Sequence, residues 1–295
     1  NDDTFDKVVS PTIAGYTADK SEIPAVSGVQ AKDQDRVETV TYRKDAQKAV
    51  IRYVSTNGNR VLTTDEVTGK SGEAIAYSTT SQINEFKKQG YNLVSDEFTA
   101  GGAKVYDYDT ARDQVYTVTL SERVEPVNPD NPSPQPNTPV NPGQPDSPRW
   151  PGTVENLDNK ESVSRTIHYV YEDGSKAKDD VVETLNFKRW SNVNLVTGHI
   201  DFQDWTTNDD TFDKVVSPTI AGYTADKSEI PAVSGVQAKD QDRVETVTYH
   251  KDAQKAVIRY VSTNGNRVLT TDEVTGKSGE AIAYSTTSQI TEFKK

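Results

Sequence analysis

AVIRYVSTNG, residues 49–58, reads as a β-strand running into a tight turn. Side chains alternate in character from Ala49 to Val54, as on a strand with one buried face, and Asn57-Gly58 supplies the positive-φ residues of a hairpin. VLTTDEVTG follows as the return strand. Further on, Ser81 is placed to cap a short helix in which Ile83 and Phe86 share a face. Lys87 and Lys88 suit its negative C-terminal end, and Gly90 closes it. GYNLVSDEF and QVYTVTL (Gln114–Leu120) complete a β-rich unit with one helix over residues 44–126.

A second unit covers residues 153–250. It opens with RTIHYVYEDG (Arg165–Gly174) and VVETLNFKRW, and NVNLV with HIDFQDW forms a hairpin about Thr197-Gly198. NDDTFDKVVSP (Asn208–Pro218) predicts a short helix capped by Asp209, with Phe212, Val215 and Val216 on one face and Pro218 as its stop. IAGYT and ETVTY (Glu245–Tyr249) finish the unit. The two units echo each other. Ile51-Arg52-Tyr53-Val54 with Gly58 matches Ile167-His168-Tyr169-Val170 with Gly174, and Gly90-Tyr91 matches Gly222-Tyr223. Hairpin, short helix, further strands is the order of a ubiquitin-like β-grasp, so the expected fold class is α+β, rich in β and arranged as tandem domains.

Residues 1–88 recur at 208–295 with two changes, Arg43 to His250 and Asn84 to Thr291. The copy is not a domain, because it straddles two. The true period is 207 residues and holds one unit of each kind, the pattern of a tandem array. Residues 1–43 then form the second half of one unit and 251–295 the first half of another. Each half lacks strands that its sheet needs, so both are expected to be frayed or swapped with a neighbour. Ten of the fourteen prolines fall between Pro126 and Pro151. Pro at nearly every third position excludes helix and central strand and predicts an extended polyproline II spacer over 127–152, with Trp150 tucked against an adjoining domain.

With 33% hydrophobic residues in 295, several small cores are more plausible than one large one. A net charge of −12 argues against a nucleic-acid partner, which needs a basic face. Cys is absent, which removes disulfides and thiolate metal sites, and no apolar run is long enough to span a membrane. The chain has no Met and starts at Asn1, so it is read as an internal fragment with any export signal or anchor outside it.

IRYVSTNGNRVLTTDEVTGKSGE, the later QGYNLVSDEF and the closing TVTL resemble the mucin-binding (MucBP) domain. TIHYVYEDGSKAKDDVVETLNFKR resembles the partner domain that precedes it in lactobacillal mucus-binding repeats. The resemblance implies a cell-wall-anchored surface adhesin of a Gram-positive gut bacterium, binding mucin glycoproteins and their glycans through domains set in an elongated rod. The wall-anchor motif of such proteins is absent.

Candidate sites follow from residue chemistry. Aromatic rings with polar neighbours suit the C–H faces of sugars, and Trp190, Trp205, Tyr77, Tyr106 and Tyr108 are so flanked; the bland alternative is that they close small cores. Asp209, Asp210 and Asp213 supply carboxylates for a stabilising calcium ion, though without EF-hand spacing, and helix capping accounts for them equally well. No cofactor is required. His168, His199 and His250 are read as structural or solvated, since the sister copy holds Arg where His250 stands. No hydrolase, phosphate-loop or metalloprotease motif occurs, so no enzyme is expected. Against weak, multivalent glycan binding without an obligate oligomer stand two other readings: an immunoglobulin-type protein partner, by analogy of fold, and a passive stalk.

Overall fold

The computed structural model describes residues 3–144 and 146–295. In chain order they form β1 (Val8–Val9), β2 (Tyr16–Ala18), β3 (Glu22–Ile23), β4 (Tyr42–Lys44), β5 (Ala46–Ser55), β6 (Arg60–Lys70), α1 (Thr80–Lys88), β7 (Tyr91–Asp96), β8 (Gln114–Glu122) and β9 (Val124–Val127). After a 3-10 turn at Gly152–Asn156 come β10 (Lys160–Tyr171), β11 (Lys176–Lys188), β12 (Ser191–Asn194), β13 (Ile200–Phe202), β14 (Val215–Val216), β15 (Tyr223–Ala225), β16 (Glu229–Ile230), β17 (Arg243–Lys251), β18 (Ala253–Val261), β19 (Val268–Lys277) and α2 (Thr287–Phe293). The protein is β-rich with few helices. It divides into two compact units, residues 1–157 with 190–202, and residues 158–189 with 203–295.

In the first unit a four-stranded sheet has the order β6-β5-β8-β7. The β5–β6 hairpin is antiparallel, and β8 returns to lie parallel to β5, from Ala49 opposite Gln114 to Ser55 opposite Leu120. Parallel pairing needs a crossover, which α1 and β7 supply. Ile83 and Phe86 of α1 pack on Ile51, Tyr53, Val118 and Leu120, all buried. The helix begins one residue before the expected cap: Thr79 occupies that position, and its hydroxyl donates instead to Asp96 at 2.6 Å. Gly90 follows the helix at φ 93°, and a Cβ there would sit 2.9 Å from the Leu195 side chain. Only glycine satisfies both the left-handed turn and that approach.

The proline-rich segment does not run out as an extended spacer. Asn137 and Thr138 exchange backbone hydrogen bonds with Trp150 at 2.9 and 3.0 Å, and Val140 donates to the Pro148 carbonyl at 2.9 Å. Asn137 at φ 60° and Gly143 at φ 86° take the left-handed conformations that let the chain turn back. Proline removes donors, yet the few N–H groups left close a loop. Trp150, Leu157 and Ile200 then pack on Val127, Val154 and Val193, beside the three-stranded sheet β13-β12-β9.

The second unit repeats the plan with the order β11-β10-β17-β15, β10 and β17 being parallel from Arg165–Arg243 to Tyr171–Tyr249. It contains no helix at 208–218. Asp209 accepts a hydrogen bond from the Thr211 N–H in a tight turn, Phe212 exchanges both backbone bonds with Val233, and Val215-Val216 pair with Glu229-Ile230 as β14 and β16. A β-branched pair and a turn-forming Asp in so short a segment favour extended pairing over a marginal helix.

The duplicated sequence shows what partner strands contribute. Phe212 is fully buried, whereas its copy Phe5 is 58% exposed; Ile75 is 7% exposed and its copy Ile282 64%. Phe86, at 6%, becomes Phe293 at 46%. Strands β18 and β19 form only a two-stranded sheet, without the parallel neighbour that β5 has in β8. Each lost burial of an Ile or Phe forfeits about 1.5–3 kcal/mol. Amide hydrogen exchange of Lys255–Val261 is therefore expected to be much faster than that of the identical Lys48–Val54, and equal protection would contradict this account.

Candidate functional site

Trp190 is 43% exposed at the start of the segment leading into β12, and Tyr108 is 56% exposed in the loop before β8. Tyr108 lies along the backbone at Gly15 and Gly72; a Cβ on Gly15 would overlap its ring edge at 2.2 Å. Its outer face stays open. These two rings retain the exposure that contact with a sugar needs.

The other three aromatic candidates are committed to packing. Tyr106 is 3% exposed and its ring covers Gly69, where a Cβ would meet it at 2.2 Å. In the sister copy the equivalent Gly276 faces open space. Tyr77 donates a hydrogen bond to Asp65 and shares one of 2.8 Å with Tyr53, while its ring packs edge-on against Phe98. Burial, reinforced by those bonds, pushes its phenol well above the usual tyrosine range. Trp205 lies on the Val163–Leu185–Phe187–Phe212 core, with the Arg189 guanidinium 4.2 Å from its ring centroid and the Lys239 ammonium 5.5 Å away. Two cations on one indole leave a sugar little of its face.

Asp209 and Asp210 direct side-chain oxygens at Thr211, to its N–H and its hydroxyl respectively, both at 2.9 Å. Asp213 contributes its backbone carbonyl, which accepts from Arg165. Among the described residues no group of three His, Cys, Asp or Glu side chains is placed to hold a metal ion. His168 pairs with Asp180 at 2.9 Å and His250 with Glu172 at 2.6 Å, both on the sheet surface.

Arg165 is the residue that reading along the chain overlooked. It sits on the inward register of β10 with Val163, Ile167 and Tyr169 and is fully buried. Its Nε donates to Glu183 at 2.7 Å, Nη1 to the Pro231 carbonyl at 3.0 Å and Nη2 to that of Asp213; Phe212 stacks below at 5.1 Å. The planar fork spends its donors on two sheet strands' worth of structure and two loops, so its role is architectural. The signal was present in SVSRTIHY, where strict alternation puts Arg among the inward positions.

A family model described as the Muc B2-like domain matches residues 1–46 and 154–253. A second, the mucin binding domain, matches residues 47–122 and 254–295, so only 123–153 lie outside both. The crystal structure of Mub-RV is 26% identical with a TM-score of 0.56, the match covering 70% of this chain and 99% of that one. The type 2 repeat of the mucus-binding protein MUB from Lactobacillus reuteri is 28% identical over 70% of this chain and all of its own length, with a TM-score of 0.47. A MucBP domain of a Lactobacillus acidophilus protein is 36% identical over 32% of this chain and 93% of its own, with a TM-score of 0.28. No curated protein matches the chain.

Tyr106→Ala is expected to destabilise the first unit by about 3–5 kcal/mol, whereas Trp190→Ala leaves thermal unfolding unchanged. Reversed effects in calorimetry would exchange the structural and surface assignments. Chelator is expected to leave the melting temperature unmoved, and a rise on adding calcium that Asp209→Asn abolishes would restore an ion to the Asp209–Asp213 turn.

Proposed function

Since the chain belongs to the family of mucus-binding repeats built from Muc B2-like and mucin binding domains, we propose that it is a non-enzymatic segment of a bacterial surface adhesin. It holds mucin glycoproteins by weak, repeated contacts with their glycans. The observation that carries this is the duplication: 88 residues recur with two changes, so whatever surface one copy offers, the array offers again. Linked copies convert later binding events into intramolecular ones and raise avidity without any new kind of contact. Mub-RV, similar over 70% of this chain, supports the repeat as the natural period.

In this reading residues 44–126 and 153–250 are β-grasp domains, each a mixed sheet whose first and last long strands run parallel. The proline-rich residues 127–152 join them. The clefts among the described residues are open ones, suited to a glycan terminus rather than to enclosing a substrate for chemistry. No cofactor takes part. Net charge of −12 repels sialylated mucin, so association is not steered by long-range attraction and each contact is weak. The chain works outside the cell, on the bacterial surface.

Long open-edged strands, β6 with eleven residues and β11 with thirteen, favour a second reading, in which an immunoglobulin-type protein adds a strand. Treatment of mucin with glycosidases separates the two. Loss of binding is expected, and retention of the chain by deglycosylated mucin would favour the protein partner. A tandem dimer of the 207-residue period is expected to bind mucin at least tenfold more tightly than one period; equal affinities would remove the avidity argument.

A further inference from the structure

The proline-rich loop does more than connect. Between Pro126 and Trp150 it encloses an open cleft of about 530 Å3, within the range of small-ligand sites. Its lining has an unusual composition for this chain: five prolines, Trp150, and the neutral polar residues Asn128, Asn131, Gln135 and Thr138, with no charged side chain at all. About a quarter of all residues are charged, and the clefts beside Phe187 and Val274 are rimmed by Lys and Glu. Uncharged walls of this kind favour an uncharged ligand.

The lining is held in place before any ligand arrives. Trp150 is half-buried, fixed behind by Val127, Val154 and Val193 and in its backbone by Asn137 and Thr138. Arg149 Nη1 donates to the Asn137 carbonyl at 2.6 Å, which locks the left-handed residue of the turn. Gln135 and Thr138 are oriented by bonds to nearby carbonyls, Ser133 at 3.3 Å and Gln135 at 2.7 Å. The Asn131 carboxamide is exposed and makes no hydrogen bond among the described residues, and Asn128 uses its oxygen on the Asp130 N–H while its amide nitrogen remains available. A half-buried indole and uncommitted carboxamides in one lining are complementary to a pyranose. The ring's apolar C–H face stacks on the indole, and neighbouring hydroxyls, or an acetamido group, pair with carboxamides that would otherwise bond only to water.

We propose that this cleft is a subsite for a neutral sugar, a hexose or N-acetylhexosamine at or near the end of a mucin-type glycan. The proposal rests on the mucin-binding reading for its source of glycan, but the cleft's chemistry stands on its own lining. It lies in residues 126–150, which contain neither Trp190 nor Tyr108 and fall outside both family domains. A shallow site with two free amides predicts a dissociation constant on the order of 1 mM per cleft.

The test uses the full chain with N-acetyllactosamine and, separately, sialyllactose as probes in saturation-transfer NMR, alongside retention on a mucin column. Transfer to N-acetyllactosamine is expected, reduced at least tenfold in Asn131→Arg and in Trp150→Phe. Because Asn131 is exposed in a loop, its variant should keep the circular dichroism and melting of the parent. No transfer to the neutral sugar, a stronger transfer to sialyllactose, or an Asn131→Arg variant that binds as the parent does would each overturn the subsite. Retention on mucin with no such transfer would do so while leaving the adhesin reading intact. Asn131-dependent transfer without retention would uphold the cleft and sink that reading instead.

Discussion

Each of the two four-stranded sheets depends on one parallel pairing, between the first strand of a hairpin and a strand that returns some sixty to eighty residues later: β5 with β8, β10 with β17. A hairpin alone is marginal in water, and it is the returning strand that seals one face. The chain demonstrates this on itself. The sequence of β5, β6 and α1 occurs again as β18, β19 and α2 without a counterpart of β8, and its Ile and Phe side chains stay half open to solvent. Identical local propensity therefore gives the same elements, each one or two residues shorter in the second copy, but a different degree of burial. Closing so long a loop costs entropy that only the buried face offsets.

The two sheets reach the same closure by different means. In the first, a short amphipathic helix lays Ile83 and Phe86 on the sheet. In the second, loops cover the sheet, and a buried arginine replaces the helix as the organising element. Arg165 ties strand β10 to Glu183 and to the carbonyls of Asp213 and Pro231, satisfying backbone groups that a helix would have satisfied internally. Burying an ion is costly unless its donors are met, and here each arm of the guanidinium finds an acceptor. The expected helix at 208–218 and the overlooked arginine are thus one fact seen from two sides.

Surface chemistry separates along the same line. Flanking polarity made five aromatic residues equal candidates, yet burial withdraws Tyr106, hydrogen bonding withdraws Tyr77, and two cations cover Trp205. Polarity of the next residue in sequence says nothing about the opposite face of the sheet, which is where Tyr106 found Gly69. The proline-rich loop shows the converse. Composition correctly excluded α-helix and central strand there, β9 at its start being an edge strand, but it pointed to an extended spacer. A handful of remaining N–H groups and one left-handed asparagine were enough to turn the loop back over Trp150.

The sequence by itself determined the hairpins, the short helix that carries Ile83 and Phe86, the 207-residue period and the family, because turn chemistry, alternation and duplication are local or self-referential patterns. Only the tertiary structure decided which aromatic rings remain available, that Arg165 points inward to a complete set of acceptors, and that the proline segment forms a cleft. Those outcomes depend on what lies opposite a residue. Opposition across a sheet is set by pairing between strands distant in sequence, and local spacing does not encode it.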